Sequence, residues 1–393
     1  MIQKGPLQPK YFWVFLIVVV CCFNSCSQKE NTESSEISDY KIEIADSVVL
    51  NRLSPVTIRD YNEKTDELLL ESLQTGEVLV MSGKGEIISS FKPYTEGPNY
   101  TEDRSFGWSF SGDNELLAYG QVYFHRLTKS GDLKDRIPYP VDVRGWVIRD
   151  YDPENIFQIQ EGRNAEILAI IPGASTPYKT RTQTYMDSAR KVFAINIQSG
   201  EHRSLSPIPA VSDYRTMGAY VDSGTPIMTR MKGNTFASTY EVDSKIYLHD
   251  MAKNQLVKVL DIPEDYLPEY ESVPFGSKGK ATISRGNARI FSTGDKIIVV
   301  NIGQIPDDVM RGIMELEGWW ESPELEAAAR QHMTHTYLVF DEEGFLGELK
   351  WEDNAHFFYQ TAGTENGYFW IQRQYSDERD YLTFLKVRVV KAD

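Results

Sequence analysis

A short hairpin recurs along this chain of 393 residues and limits the folds that the sequence can adopt. Each copy consists of an apolar run, a turn centred on Gly or Asn, and a second short run. Because a four-stranded propeller blade takes about 40–50 residues, the spacing predicts one hairpin per blade, with insertions around 162–185 and 302–335. The turn residues, spaced 46, 69, 54 and 90 residues apart, are Gly85, Gly131, Gly200, Asn254 and Gly344.

The repeat predicts an all-β chain folded as one six-bladed β-propeller. After Gly344 the next turn would fall at about residue 390, so the sixth blade lacks its outer strand within the C-terminal sequence. The apolar run Lys41–Leu50 can supply this strand, and pairing the N- and C-terminal strands would close the ring and remove exposed sheet edges. A pair of β-sandwiches is the alternative. It fits less well because no Pro/Gly/Ser-rich linker divides the chain near its middle.

One segment departs from the β pattern and predicts a helical insertion around 303–333. Apolar residues within Pro306–Leu316 follow helical spacing. Ser322 then has the character of an N-cap, followed by proline and two acids in the first turn. Between the two helices, Trp319 and Trp320 either bind a sugar ring or a partner, or pack the insertion onto the propeller. Packing is favoured, because an insertion needs its own apolar contact to stay ordered.

The N-terminus has the pattern of a secretion signal, which we assign to residues 1–25. Lys4 and Lys10 form a basic segment before the apolar run Tyr11–Phe23, which at 13 residues is shorter than the ~20 that a membrane span needs. Phe23-Asn24-Ser25-Cys26, where this run stops, resembles a bacterial lipobox. In such signals the cysteine after the cleavage site carries the lipid, and here that cysteine is Cys26.

Residues 26–39 are expected to be the lipidated cysteine and a flexible tether, because residues 27–39 hold one aliphatic side chain. Ser27-Gln28-Lys29-Glu30 is similar to the tract that follows the lipid cysteine in surface-exported lipoproteins of Bacteroidetes. We therefore expect an outer-membrane lipoprotein of the cell envelope, with surface exposure left open, and a propeller domain over 40–393. An ordinary secretion signal or an uncleaved anchor is the alternative.

Cysteine positions and charge exclude several classes of protein. All three cysteines lie within the first 26 residues, so a disulfide framework and a cysteine nucleophile are excluded from the mature domain. A net charge of −16 argues against broad binding to nucleic-acid phosphates. The expected partners are the membrane, through the lipid on Cys26, and a glycan, a peptide or an envelope protein.

Motifs for catalysis or metal binding are few, and we predict no cofactor and no catalytic residue. The sequence lacks a Gly-x-Ser-x-Gly motif, a P-loop and a dinucleotide-binding glycine pattern. His332 and His335 could share one helical face and bind a metal, and Asp150 and Asp152 could bind Ca²⁺. The preferred explanation of the histidine pair is a position near a helix C-terminus, where the macrodipole favours positive charge. The preferred explanation of the aspartate pair is a solvated turn.

A basic cluster in or beside the first insertion offers a second candidate ligand site. It contains Arg163 and Arg181, with Lys179 and Arg190 close by in the sequence. These side chains could bind a carboxylate or sulfate on an anionic ligand, whereas a solvated loop is the default interpretation.

One resemblance to a known family covers most of the chain. The lipobox, the acidic tether and the pattern Thr75-Gly76-Glu77, Gly83-Lys84-Gly85-Glu86 and Phe91 resemble TolB-like six-bladed β-propeller lipoproteins of Bacteroidetes. The resemblance rests on repeat pattern and not on an active-site motif. It implies a fold and a location, and little about activity.

Together these patterns predict a lipid-anchored envelope propeller that binds a glycan, a peptide or an envelope protein, with no catalysis evident. Whether the protein is an enzyme stays open. The alternative is a propeller-type carbohydrate-active enzyme, a glycoside hydrolase or polysaccharide lyase, with carboxylates about 5–10 Å apart in the central funnel. The second alternative is a structural scaffold.

Lipidation is tested by palmitate labelling in a bacterial host that processes lipoproteins. We expect label on the wild-type chain and none on Cys26→Ala, because the Cys26 thiol is the predicted acceptor. Cys22→Ala is the matched control and should stay labelled, since Cys22 lies inside the predicted signal. Labelling that persists in Cys26→Ala would contradict the lipoprotein assignment.

Overall fold

The computed structural model describes residues 38–102, 105–140, 156–159, 165–171, 178–205, 207–222, 224–351, 355–360, 366–373, 375, 377 and 379–392. Within these ranges the chain is mostly β-structure, with five sheets and four short α-helices. No helix in the described part of the chain is long and apolar enough to cross a membrane.

Four of the sheets share one plan, in which four antiparallel strands follow each other along the chain. The first two sheets are β2–β5 (Thr57–Asn62, Glu67–Ser72, Glu77–Ser82, Ile87–Phe91) and β6–β9 (Trp108–Ser111, Glu115–Tyr119, Tyr123–Thr128, Leu133–Pro138). The next two are β10–β13 (Ile156–Gln158, Glu166–Ile170, Val192–Asn196, His202–Ser204) and β14–β17 (Pro226–Arg230, Thr235–Tyr240, Lys245–Asp250, Gln255–Asp261).

The fifth sheet has nine strands, in the order β18-β19-β20-β21-β22-β1-β25-β24-β23. Its strands are β1 (Ser38–Leu50), β18 (Glu269–Glu271), β19 (Thr282–Thr293), β20 (Lys296–Gly303), β21 (His335–Phe340), β22 (Phe345–Lys350), β23 (Ala355–Gln360), β24 (Tyr368–Arg373) and β25 (Leu382–Lys391).

The hairpin that recurs in the sequence joins the third and fourth strands of each repeat, as β4–β5 does. All five predicted turn residues have positive φ, from +51° at Asn254 to +150° at Gly344. This backbone region favours Gly and Asn, which explains their recurrence at these turns. At Gly85 a β-carbon would also lie 2.6 Å from a methyl carbon of Val48, so this turn has no room for a side chain.

The two ends of the domain meet in β1. This strand runs antiparallel to β25 along most of its length, ending with the pair Leu50 and Leu382. The pairing of terminal strands expected from the sequence is therefore present. β1 also pairs in parallel with β22 through Ser38–Lys41. Ser38 and Asp39, which the sequence assigned to the tether, thus belong to the strand because β22 supplies backbone partners for them.

The first strands of the repeats lie around a common axis, which is the arrangement of a β-propeller. β6 contacts both β2 and β10, β14 contacts β19, and β23 contacts β2. Arg230 at the end of β14 reaches Asp60 in β2, with Nη2 and Oδ1 2.6 Å apart. Because β14 and β2 belong to sheets that are not neighbours in sequence order, this contact crosses the axis.

The hydrophobic core lies between neighbouring sheets. Leu117 and Phe124 of the second sheet pack with Ile167 and Phe193 of the third, and all four side chains are buried. Trp108 of the second sheet packs in the same way against side chains of the first. Each sheet is thus covered by its neighbours, as expected where blades stack around an axis.

Helices occur in the connections between strands. The bounds are α1 (Gln183–Ser188), α2 (Asp213–Thr216), α3 (Asp307–Met314) and α4 (Pro323–His332), with a 3-10 turn at Trp319–Glu321. The last three elements confirm the helical insertion, which lies between β20 and β21. Ser322 caps α4 as predicted, because its hydroxyl accepts a hydrogen bond of 3.1 Å from the backbone N–H of Leu325.

The contribution of β1 to stability can be measured with two adjacent valines. Val48 is 5% exposed and packs in the core, whereas Val49 is 47% exposed. We expect Val48→Ala to lower the free energy of unfolding by about 2 kcal/mol, from lost burial and the cavity left behind. Val49→Ala should cost about 0.5 kcal/mol or less. Equal effects in urea unfolding would contradict the packing of β1 against the core.

Candidate functional site

A cavity of about 580 Å³ lies at the axis, where the first strands end and turn into the second strands. Every repeat contributes to its wall. Asn62 follows β2, Asp113 follows β6, Gln158 ends β10, Lys232 follows β14 and Asn366 precedes β24. The β19–β20 turn completes the wall through Gly294. The fold therefore brings polar side chains from distant parts of the chain to one place.

Asp60 is 5% exposed and forms hydrogen bonds with residues of the cavity wall. One carboxylate oxygen accepts hydrogen bonds from Arg230 and from the backbone N–H of Tyr61, at 2.6 and 2.8 Å. The other accepts from the Ser109 hydroxyl and the Phe110 backbone N–H, at 3.0 and 2.8 Å. Four donors from three sheets thus satisfy a nearly buried charge, which fixes these sheets relative to each other.

A register shift in β2 places its two charged residues in different surroundings. Arg59 pairs with Glu71 of the neighbouring strand at 2.6 Å, and both side chains are at most 2% exposed. The Tyr94 hydroxyl donates to the same Glu71 carboxylate, and burial together with this charge raises the pKa of Tyr94. Arg59 is therefore paired within the first sheet, whereas Asp60 is bonded to Phe110 and Arg230 of the cavity wall.

Side-chain hydrogen bonds join neighbouring repeats around the cavity. The Asn62 amide donates to the Gly112 carbonyl at 3.0 Å, and the Asn366 amide donates to the Glu63 carboxylate. The Thr293 hydroxyl likewise donates to the Gly367 carbonyl at 2.6 Å. These bonds hold the turns in place before any ligand arrives, which reduces the ordering cost of binding.

Two charged side chains of the wall are open to a ligand. Lys232 and Asp113 are exposed, and neither makes a hydrogen bond or ion pair with another residue in the described part of the chain. The cavity therefore presents a cation, a carboxylate and several amides. No histidine lines it among the residues that the structure describes. These groups can form hydrogen bonds and ion pairs with a ligand.

Tyr61 forms part of the cavity wall close to Lys386. Its hydroxyl donates to Asp66 at 2.7 Å and accepts from the Lys386 ammonium at 3.0 Å. Burial, followed by the hydrogen bond to Asp66, raises the pKa of Tyr61. The ammonium also lies 5.3 Å from the Tyr61 ring centroid, so Tyr61 is held by polar and cation–π contacts.

A buried acid lies at the other end of the sheets, in the connection between β15 and β16. Asp243 is 0% exposed and accepts hydrogen bonds from the Ser212 and Tyr247 hydroxyls and from the Asp213 backbone N–H. Burial raises the pKa of Asp243 to about 6. Because this carboxyl has no contact with solvent, it cannot reach a substrate, and we assign it a structural role.

The site residues expected from the sequence do not line the axial cavity. Trp319 and Trp320 lie in the helical insertion, at the opposite ends of the strands. Arg181 donates to the backbone carbonyls of Ser277 and Gly279 at 2.9 and 2.8 Å, and its guanidinium stacks 4.6 Å from the Tyr220 ring centroid. Arg181 thus joins two connections of the fold.

The expectation that His332 and His335 share one helical face is wrong, because α4 ends at His332 and β21 begins at His335. Among the described residues, no group of three or more His, Cys, Asp or Glu side chains could hold a metal ion. The remaining expectations fall on residues outside the described ranges, namely Cys26, Asp150, Asp152 and Arg163.

Sequence reasoning missed Asp60 and Arg230, although one signal was available. Arg59 and Asp60 lie adjacent within an otherwise uncharged stretch, and Ile58-Arg59-Asp60-Tyr61 recurs later as Ile148-Arg149-Asp150-Tyr151. A charged pair in the middle of a strand is costly to bury, so its repetition indicates a specific structural role. The partner Arg230 carries no such signal.

The raised pKa of Asp243 predicts a dependence of stability on pH. The pKa of Asp243 is about 6 in the folded protein, and its ordinary value is 3.8. The contribution of this carboxyl to stability is therefore fully present below pH 3.8 and is lost as the pH rises through 6. The stability of wild type relative to Asp243→Asn should therefore fall by up to about 3 kcal/mol between pH 4 and pH 7.

This difference is measured by urea unfolding of both proteins across that pH range. Asp261→Asn is the matched control, because Asp261 is exposed and should leave the pH profile unchanged. Parallel profiles for wild type and Asp243→Asn would contradict a raised pKa at Asp243.

Comparisons with known proteins find solved structures that share this fold. No family model and no curated protein matches the sequence. A member of the DUF4221 family from Bacteroides vulgatus superposes with a TM-score of 0.62 at 10% identity, covering 91% of this chain and 100% of that one. A protein from Bacteroides fragilis that is described as exported gives a TM-score of 0.51 at 11% identity, covering 90% and 100%.

A β-propeller domain from Myceliophteria thermophila superposes less well, with a TM-score of 0.39 at 9% identity over 87% of this chain and 98% of that one. At identities this low, structural likeness extends to the fold and not to function. The chain therefore shares its fold with the two Bacteroides proteins.

Proposed function

We propose that the chain is a six-bladed propeller closed by its terminal strands. The nine-stranded sheet then counts as two blades, β19–β22 and β23–β25 with β1 as the outer strand. Support comes from the short parallel pairing Ser38–Lys41 with β22, which is the only link between these two halves in the described part of the sheet. The antiparallel pairing of β1 with β25 is much longer.

We further propose that this propeller is an outer-membrane lipoprotein of the TolB-like kind, anchored through Cys26. The lipobox-like sequence before Cys26 supports this anchor, as does the polar composition of the segment that follows. β1 begins at Ser38, which leaves residues 27–37 as the proposed tether. The fold shared with a Bacteroides protein described as exported is consistent with an envelope location.

The proposed activity is binding of a glycan or peptide in the axial cavity. The observation that carries it is the cavity wall itself, which combines amide side chains, Lys232 and Asp113 from different repeats on turns held by hydrogen bonds. A volume of about 580 Å³ lies within the usual range for ligand sites. Amides and charged groups match the hydroxyls of sugars and the backbone of peptides.

The experiment is a glycan array and a peptide array probed with Cys26→Ser protein, followed by titration of the tightest ligand. Lys232→Ala should weaken binding about tenfold, which corresponds to one lost charge-assisted hydrogen bond. Lys278→Ala is the matched control, because Lys278 is also exposed but lies outside the cavity wall. The proposal is wrong if neither array yields a ligand, or if both variants bind as wild type does.

A further inference from the structure

The connection between α3 and α4 exposes several apolar side chains at once. Met314, Leu316 and Trp320 are 55%, 41% and 63% exposed, and they lie within seven residues. The Trp319 ring packs edge-on against Trp320, with centroids 6.2 Å apart. Exposed apolar side chains are common singly, but a group that contains tryptophan is typical of an interaction surface. We call Met314, Leu316, Trp319 and Trp320 the tryptophan patch.

Residues outside the tryptophan patch attach the insertion to the rest of the fold. Ile313 of α3 and Ala328 of α4 are the buried apolar residues of these helices. The base of the insertion is fixed by the Gly303 N–H, which donates to the Thr334 carbonyl at 3.0 Å. Asp307 at the start of α3 pairs with Lys280 at 2.6 Å. The insertion is thus attached through other residues, and Trp320 stays open to solvent.

Acidic side chains alternate with the apolar ones of the tryptophan patch. Glu315, Glu317 and Glu321 are exposed, and none pairs with another residue in the described part of the chain. Residues 304–334 carry seven acids against two arginines. An apolar centre with an unpaired acidic rim is complementary to a surface that combines apolar and basic side chains.

We propose that the tryptophan patch binds a basic amphipathic segment of a protein partner. A second copy of this chain is disfavoured, because each copy would bring its own acidic rim and a net charge of −16. An anionic membrane surface is disfavoured for the same electrostatic reason. A partner with Lys or Arg beside apolar residues neutralises the rim and covers Trp320.

This surface is separate from the axial cavity. The cavity is formed where first strands end, whereas the insertion follows β20, a second strand that runs in the opposite direction. The two sites therefore lie at opposite ends of the strands, and either proposal can fail without the other.

The test uses fluorescence anisotropy with a labelled Leu/Lys amphipathic peptide of about 14 residues, a length at which helices become stable enough to bind as helices. The protein is full-length and carries Cys26→Ser. We expect the peptide to bind, Trp320→Ala to weaken binding at least tenfold, and the triple variant Glu315→Gln, Glu317→Gln, Glu321→Gln to weaken it about fivefold at low salt. The effect of the triple variant should shrink as salt rises.

Matched variants control for general effects of exposed residues. Leu53→Ala removes an apolar side chain that is 75% exposed outside the insertion. A second triple variant, Glu86→Gln, Glu96→Gln and Glu201→Gln, removes the same charge from exposed positions elsewhere. Both should bind the peptide within twofold of wild type.

Several outcomes would overturn the proposal. Equal binding of a Leu/Glu peptide, no binding of the Leu/Lys peptide, or unchanged affinity in Trp320→Ala would each exclude a basic amphipathic partner. Sedimentation that reveals a dimer lost in Trp320→Ala would assign the patch to a second copy. Binding to phosphatidylcholine or phosphatidylglycerol vesicles that is lost in the same variant would assign it to a lipid surface.

Discussion

The Asp60 carboxylate is the constraint on which the centre of this propeller depends. A charge that is almost excluded from water is tolerated only when its oxygens are fully paired, and Asp60 takes donors from its own strand, from the second sheet and from Arg230 across the axis. Loss of any donor would leave charge unsatisfied in a medium of low dielectric. The positions of three sheets around the axis are therefore coupled through one side chain.

The cavity owes its defined shape to this coupling. The turns above Asp60 are linked by amide and hydroxyl hydrogen bonds between repeats, such as Asn62 to Gly112 and Thr293 to Gly367. The buried charges of Arg59 and Asp60 are paired within the protein, whereas Lys232 and Asp113 are left open at the wall. A preorganised binding site is expected to combine paired charges in the protein interior with unpaired charges at the cavity wall.

The sequence predicted the outer parts of the fold better than its centre. The hairpin turns, the strand at Lys41–Leu50 and the Ser322 cap follow from local rules of glycine conformation, apolar runs and helix capping. The first strands were missed. β2 carries Arg59 and Asp60 in its middle, so it lacks the apolar pattern that indicates a strand, and β14 has only five residues, of which the last is Arg230. The Asp60–Arg230 pair joins residues 170 positions apart, and no local pattern encodes a contact at that separation.

The acidic character of the protein has different consequences for its two proposed surfaces. In physiological salt the field of a net charge of −16 is screened beyond about 8 Å, so a ligand in the cavity meets mainly the charges of the wall, among them Lys232. The insertion instead adds seven acids to the global charge and leaves three of them unpaired beside Trp320. A basic partner at the tryptophan patch should therefore be attracted mainly by the three nearby acids and more strongly at low salt, whereas a ligand in the cavity would be selected by contacts with the wall.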